Sequence, residues 1–224
     1  MLHSDDPVKA ADDVVFFKRL VKSIAKKYAL RASFMAKPIL NRAGSGMHVH
    51  FSILDKIGKN IFDDNTDSGS KKLHFAVGGL IEAMQDSCLI FAPHLNSYRR
   101  LLKGSHAPAA ISWGYENRTA SIRIPGGKFE ERRIEHRLAG ADANPYLVAA
   151  SILEAALHGL SNKIEPPSPV RGNSYTENLP ALPKDWGSAI AVFEKSEIGK
   201  TLYSKEFVKT FSKYKYQELG SFSS

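Results

Sequence analysis

The stretch that constrains the fold most is a glycine-rich loop running into an alternating segment, Ala-Gly-Ser-Gly-Met-His-Val-His-Phe-Ser, between Ala43 and Ser52. Side chains two residues apart in a strand share a face, so His48, His50 and Ser52 are predicted to point one way and the apolar residues the other. Glycines let backbone N–H groups approach a ligand, and successive N–H groups suit an anion. The stretch fits either a metal and phosphate corner or a half-buried strand with two solvent-facing histidines.

The composition excludes several classes of protein. The 224 residues suffice for a sizeable core in one or two domains, and 43% hydrophobic with 24% charged residues is ordinary for a globular protein. A single cysteine, Cys88, excludes an intrachain disulfide and indicates a reducing compartment. No apolar run approaches the roughly 20 residues that cross a bilayer, and residues 1–7 lack a signal-peptide pattern. We therefore expect a cytoplasmic protein without a membrane partner.

The net charge is +8, from 31 basic and 23 acidic residues. Many of the lysines lie on predicted helices near the two ends of the chain, where a solvated helix face explains them. No zinc-finger spacing or helix-turn-helix pattern accompanies them. Nucleic acid is therefore not expected as a partner.

Helical patterns and short strand patterns are mixed without regular βαβ alternation. Helices are predicted at Pro7–Tyr28, Ser70–Met84, Tyr146–Leu160, Trp186–Ile198 and Lys205–Leu219. Strands are predicted at Ala32–Ala36, Met47–Ser52, Thr119–Ile124 and Arg133–Arg137. This pattern favours an α+β fold with a largely antiparallel sheet covered by helices.

Arginines are unusually dense on segments that otherwise have the pattern of core strands: Arg100, Arg118, Arg123, Arg133 and Arg137. Alternation places Arg133, Glu135 and Arg137 on one strand face, whereas Arg118 has the wrong parity to share a face with Arg123 and is expected on the preceding loop. Guanidinium forks match carboxylate and phosphate geometry. The cluster predicts a site for a highly anionic ligand, such as a nucleoside triphosphate with a carboxylate; plain ion-pair networks are the alternative.

Five segments, in order, resemble motifs of the glutamine synthetase catalytic domain: residues 34–38, 44–50, 96–100, 117–125 and 143–147. The resemblance covers nearly the whole chain. It implies the fold of that domain and identifies residues 1–224 as its C-terminal portion, without the family's N-terminal β-grasp domain and the strands of its first metal site. It also implies active sites between neighbouring subunits of stacked hexameric rings, so the fragment alone is expected not to turn over.

The resemblance implies a specific reaction, an ATP-dependent carbon–nitrogen ligation. ATP phosphorylates the side-chain carboxylate of glutamate, and an amine then displaces phosphate from the γ-glutamyl phosphate to form an amide. Two divalent cations, Mg²⁺ or Mn²⁺, neutralise charge on the phosphates. The implied partners are ATP, glutamate and an amine or ammonia, together with further copies of the chain.

Site residues follow from the resemblance, position by position. The implied metal ligands are His48 and Glu135. The implied ATP contacts are His50, Ser52, Arg123 and Arg133. The implied glutamate contacts are Gly44, Arg100, Arg118 and Arg137, and Arg118 is also expected to stabilise charge during phosphoryl transfer.

Three segments, Trp113–Arg118, Ile134–Arg137 and Gly140–Leu147, are most similar to the γ-glutamyl-polyamine (putrescine) synthetase branch. Ammonia-using enzymes carry a glutamate on the loop after Arg100, and His106 stands there in this chain, where a neutral imidazole could deprotonate an incoming amine. Ala43 replaces an asparagine usual in the ammonia enzymes. Two alternatives remain at this point, an ordinary glutamine synthetase that uses ammonia and a non-catalytic nucleotide-binding relative.

Overall fold

The computed structural model describes residues 6–102, 104–105 and 107–222. Its helices are α1 Pro7–Lys27, α2 Lys71–Ala83, α3 Cys88–Phe91, α4 Pro145–Asn162, α5 Trp186–Lys195, α6 Glu197–Tyr203 and α7 Lys205–Ser221. Its strands are β1 Val49–Phe51, β2 Trp113–Tyr115, β3 Ile122–Ile124 and β4 Ile134–His136. Two short 3₁₀-helices lie at Leu95–Arg99 and Phe129–Glu131.

The four strands form one small mixed sheet in the order β1-β4-β3-β2. The pairs β1–β4 and β3–β4 are antiparallel, and β2–β3 is parallel. The predicted α+β fold with a largely antiparallel sheet is therefore confirmed. The register places both His50 and Arg123 opposite Glu135, so these three residues form a row across the middle of the sheet.

The predicted helix starts are confirmed by their capping contacts. Asp6 accepts a hydrogen bond from the Lys9 N–H at 2.9 Å, and Ser70 accepts one from the Leu73 N–H at 3.1 Å. Asn144 caps α4 in the same way, and a proline occupies the first turn of both α1 and α4. Such side chains satisfy N–H groups that have no partner inside the helix, which fixes where each helix begins.

The core lies between the sheet and the helices. Buried side chains of β3 and β4, among them Ile122 and Ile134, belong to one cluster with residues of α2, α4 and α5. Helices α2 and α4 approach very closely, since a Cβ on Gly79 would lie 2.1 Å from the Ala155 carbonyl oxygen. This packing covers one face of the sheet and leaves the row of His50, Glu135 and Arg123 on the other.

Two of the predicted elements are wrong. Residues 32–36 form no strand: within the described part of the chain the Ala36 carbonyl accepts a single backbone bond, from the Ser45 N–H, and the backbone of the next residue, Lys37, is bonded by the side chain of Asn96. The helix predicted over Trp186–Ile198 is two helices, because Ser196 ends α5 and its hydroxyl accepts the Gly199 N–H at 2.6 Å to start α6.

Helix α1 has the predicted length, but its apolar stripe is only partly covered. It packs against α4, and Ala11 is buried there. The side chains of Phe17 and Ile24 remain 46% and 45% exposed. Within the described residues, no helix is long and apolar enough to cross a membrane.

Candidate active site

Glu135 is the centre of the candidate site, since four basic groups converge on its carboxylate. His48 Nδ1 lies 3.0 Å from Oε1, and His50 Nε2 lies 3.7 Å from the same atom. Arg137 Nη1 also contacts Oε1, at 3.2 Å, and Arg123 Nη1 contacts Oε2 at 2.9 Å. The Glu135 side chain is only 4% exposed, so these contacts replace water as its surroundings.

The ionisation of this cluster follows from those contacts. Burial pushes the pKa of Glu135 up, but the His48 hydrogen bond and the charges of Arg137 and Arg123 outweigh it and hold the pKa at about 2. Burial lowers the pKa of His50 more than the Glu135 charge raises it, and the nearby Arg133 charge lowers it further. Near neutral pH the carboxylate is therefore charged and His50 is a neutral imidazole. Its buried Nδ1 has no hydrogen-bond partner in the described part of the chain.

Arg100 and the glycine loop enclose a cavity beside this cluster. The Arg100 guanidinium is buried and donates to the backbone oxygens of Leu138 at 2.7 Å and Arg137 at 3.2 Å. Burial lowers its pKa to about 10, which leaves it charged at neutral pH. The cavity has a volume of about 240 Å³ and is lined by Ala43, Gly44, Gly46, His48, Arg100, Ser105 and Ala107.

Arg118 lies in the turn between β2 and β3, as its parity predicted, and is exposed. Asn117 holds this turn by donating to the backbone oxygens of Val170 at 3.0 Å and Gly172 at 2.9 Å. The Arg118 carbonyl accepts a hydrogen bond from Arg137 Nη2 at 2.8 Å. The turn thereby brings the backbone of Arg118 to the edge of the Glu135 cluster while its side chain stays in solvent.

The remaining predicted residues are Arg133, Ser52 and His106. Arg133, just before β4, is half-buried and donates to the Glu131 carbonyl at 3.3 Å. Ser52 is exposed just after β1. His106, the predicted base, lies outside the described residues. The structure therefore brings His48, His50, Arg123, Glu135 and Arg137 into contact, and Gly44 and Arg100 into the adjoining cavity.

Sequence reasoning missed Glu116, which belongs to the same network. Its carboxylate accepts hydrogen bonds from Arg123 Nη2, at 3.1 and 3.2 Å, and from the Gly126 N–H. The Gly126 N–H and the Arg123 charge lower the pKa of Glu116. Its backbone has a φ of 50°, which turns the chain at the end of β2. The sequence offered one signal for this role, because Glu116 stands two residues before the predicted site residue Arg118.

Comparison with known proteins identifies the family. Residues 1–224 match the family described as glutamine synthetase, catalytic domain. The chain belongs to this glutamine synthetase family. It is 38% identical over 222 residues to γ-glutamylputrescine synthetase PuuA of Escherichia coli (strain K12), covering 99% of the chain and 47% of that protein.

Other relatives carry different names at the same level of similarity. Glutamate–isopropylamine ligase of Pseudomonas sp is 36% identical over 96% of this chain and 48% of its own length. Glutamine synthetase of Pyrococcus abyssi is 38% identical over 97% of this chain and 51% of its own length. The solved complex of GmaS with ADP superposes with a TM-score of 0.88 and 32% identity, covering 97% of this chain and 52% of that one. The chain thus spans about half the length of the relatives that it matches.

Glutamine synthetases use divalent cations, and the residues present fit such an ion in part. His48 and Glu135 bring an imidazole and a carboxylate together at one corner, and the carboxylate is the type of ligand that Mg²⁺ and Mn²⁺ prefer. Within the described residues, no group of three or more His, Cys, Asp or Glu side chains converges as a metal site. Among the described residues, these two side chains therefore supply only part of the ligand set of a cation.

Proposed function

We propose that this chain is the C-terminal part of the catalytic domain of an ATP-dependent ligase that joins glutamate to an amine. The observation that carries the proposal is the convergence of His48, His50, Arg123 and Arg137 on the buried Glu135. A buried carboxylate whose pKa is strongly lowered by charged partners is typical of a functional site, and this one lies beside a cavity of a size suited to an amino acid. Family membership supports the same chemistry.

The proposed reaction has two steps. An oxygen of the glutamate side-chain carboxylate attacks the γ-phosphorus of ATP, and ADP leaves. The amine nitrogen then attacks the carbonyl carbon of γ-glutamyl phosphate, phosphate leaves with its bonding electrons, and the nitrogen loses a proton. His106 is the proposed acceptor of that proton.

The charged row is the proposed ATP and metal side of the site. His48 and Glu135 would hold Mg²⁺ or Mn²⁺, which supplies positive charge against the ATP phosphates. Arg123 and Arg133 would contact the phosphates, joined by His50 as a neutral donor and by Ser52. Because these groups are already fixed around Glu135, little reorganisation is needed when charge develops.

The cavity is the proposed glutamate side. Arg100 lines it and retains N–H groups beyond those given to Leu138 and Arg137, and the Gly44 backbone faces it. Arg137 would contact the same substrate from the Glu135 side. Arg118, exposed in its turn, is the proposed group that reaches the transferring phosphoryl.

A polyamine or another alkylamine is the proposed acceptor. PuuA and the isopropylamine ligase support this, as does the segment Trp113–Arg118. The similarity to Pyrococcus glutamine synthetase is equally high and keeps ammonia as the second candidate. We also propose that the complete protein is longer than this chain and assembles into rings in which subunits complete one another's sites.

An assay of phosphate release tests the proposal. The 224-residue chain and the complete protein that carries it are each supplied with ATP, Mg²⁺ or Mn²⁺, glutamate and one nitrogen donor: putrescine, isopropylamine or ammonia. We expect no turnover by the chain alone and preference for an alkylamine by the complete protein. Robust turnover by the chain alone would contradict the fragment proposal, and equal or better use of ammonia would make the protein an ordinary glutamine synthetase.

Nucleotide binding tests the proposed metal-binding role of His48, whereas turnover in the phosphate-release assay separates an enzyme from a non-catalytic nucleotide-binding relative. Titration calorimetry with ATP and Mn²⁺ should show weaker binding for His48→Ala than for the parent, because the variant loses an imidazole ligand. Glu130→Ala, which removes an exposed carboxylate near β4, is the matched control. Unchanged binding in His48→Ala would remove this residue from the metal site.

A further inference from the structure

The backbone of Lys37 is held by a side chain in place of a neighbouring strand. The Asn96 amide accepts the Lys37 N–H at 2.8 Å and donates to the Lys37 carbonyl at 2.9 Å. This double contact satisfies both the N–H and the carbonyl of Lys37. Because Lys37 belongs to no sheet, no strand partner among the described residues bonds these two groups. Asn96 therefore fixes one point of the loop that leads to the active-site glycines.

The same loop is closed by two further contacts. Its ends meet where the Ser45 N–H donates to the Ala36 carbonyl at 2.8 Å. The Lys37 side chain is 8% exposed and turns inward, where Nζ donates to the Arg42 carbonyl at 2.5 Å. The segment from Ala36 to Ser45 is thus a compact loop whose position depends on Lys37, and Lys37 depends on Asn96.

This loop lies directly against Arg100. A Cβ on Gly44 would lie 3.2 Å from Arg100 Cγ and 2.7 Å from the Ala36 oxygen, and a Cβ on Gly46 would lie 2.6 Å from Arg100 Nη2. If the loop moved by less than the diameter of a carbon atom, its backbone would therefore either clash with the Arg100 guanidinium or lose contact with it. Loop and guanidinium together form the wall of the 240 Å³ cavity.

One short segment governs both parts of that wall. Asn96 lies in the 3₁₀-helix Leu95–Arg99, and Arg100 follows it directly. We infer that Asn96 is a positioning residue that sets the Gly44–Gly46 loop against Arg100 and so fixes the shape of the glutamate cavity. The inference rests on the proposed function, since it names glutamate as the ligand of this cavity. Asn96 takes no direct part in the proposed reaction, since its amide group is hydrogen-bonded to the Lys37 backbone.

The first test is local and needs no turnover. Hydrogen exchange followed by mass spectrometry on the 224-residue chain should show faster exchange in peptides covering residues 38–46 for Asn96→Ala than for the parent. Asn96→Asp keeps an acceptor for the Lys37 N–H and loses the donor, so it should fall between the two. Asp185→Ala removes the N-cap of α5, which does not line the cavity, and should leave those peptides unchanged.

The second test uses the complete enzyme. In Asn96→Ala the KM for glutamate should rise by about tenfold or more, with Asp intermediate, because a small misplacement weakens an oriented contact. The KM for ATP and kcat should change much less, and Asp185→Ala should change none of the three selectively. A variant that is only less stable would not show a raised KM for glutamate together with a nearly unchanged KM for ATP.

The outcomes separate the two proposals. Unchanged exchange in residues 38–46 overturns the inference, as does a variant whose kinetic constants all move together or match those of Asp185→Ala. A parent enzyme that shows no ATP-dependent use of glutamate overturns the proposed function, while the exchange result still decides whether Asn96 holds the loop.

Discussion

Glu135 and His136 are neighbours on β4 and almost equally buried, 3% and 1% exposed, yet they lie in opposite environments. Glu135 faces two arginines and two histidines. His136 faces the core, with its ring 4.4 Å from that of Phe91 between centroids and its Nδ1 without a hydrogen-bond partner among the described residues. A strand three residues long thus separates a charged site from a hydrophobic core.

The pKa of each neighbour is lowered, but with opposite consequences. Ion pairs hold the pKa of Glu135 at about 2 in spite of burial, so the carboxylate stays charged. Burial, assisted by the charge of His48, lowers the pKa of His136 to about 3, so the imidazole stays neutral. On the site face paired charges outweigh desolvation, and on the core face desolvation acts unopposed. The difference teaches that partners, rather than depth, decide which charges the sheet carries.

The largest effect is expected from removing the centre of the charged face. Glu135→Ala leaves the buried Arg137 and the partly buried Arg123 without their shared counterion, and should lower the free energy of unfolding by about 3–5 kcal/mol. Urea unfolding of the chain measures this. Glu130→Ala, an exposed carboxylate next to the same strand, should cost far less. Equal losses in the two variants would mean that the charged face does not depend on Glu135.

The second effect tests the core face through its pH dependence. An unfolded imidazole takes up a proton near pH 6.5, but folded His136 does so only near pH 3, so the unfolded state binds more protons between these values. Stability should therefore fall as the pH falls through this range, by about 1.5 kcal/mol between pH 6.5 and 5 from this residue.

His136→Leu should remove that contribution, because leucine takes up no proton. The difference in unfolding free energy between variant and parent, measured by urea titration at each pH, should shift in favour of the variant as the pH falls. Comparing the two proteins at each pH cancels the other histidines, including His50, whose pKa is also lowered. A difference that stays constant from pH 7 to 5 would show that His136 titrates normally in the folded protein.

Much of this arrangement was predictable from alternation along the strands. The parity of Arg133, Glu135 and Arg137 predicted a charged face of β4, and the parity of Arg118 predicted its place on a loop. These predictions hold because a strand has a strict period of two, so that a run of five or six residues already assigns each side chain to a face.

Contacts made by single side chains could not be predicted in the same way. The hydrogen bonds between Asn96 and Lys37 join residues 59 positions apart, and no repeating sequence pattern predicts them. Ser196 divides one helical pattern into two because its hydroxyl caps α6, although the apolar spacing continues past it. Glu116 contacts Arg123 from a position where its own backbone has a φ of 50°, which the apolar pattern does not predict. Each depends on tertiary geometry rather than on local pattern.

A smaller effect is expected at the exposed end of the charged row. Glu116 pairs with Arg123 at 3.1 Å but its side chain is 58% exposed, so water and salt screen the pair. Glu116→Gln should change the unfolding free energy by less than about 1 kcal/mol. Urea unfolding at low and high salt measures this. The small difference in unfolding free energy between parent and variant should disappear as the salt concentration increases. A loss as large as that of Glu135→Ala would place the centre of the network at Glu116.

The smallest effect concerns a second neutral group on the core side. Burial raises the pKa of the Cys88 thiol to about 12, so almost no reactive thiolate is present at pH 8, and the side chain is fully covered. Iodoacetamide should therefore leave the native chain unlabelled and add one label in denaturant, as intact mass shows. Thr201→Cys, an exposed position on α6, should take one label when native and two when unfolded. Rapid labelling of Cys88 in the native chain would mean that the core opens readily to solvent. Desolvation would then not explain why the groups on the core side stay neutral.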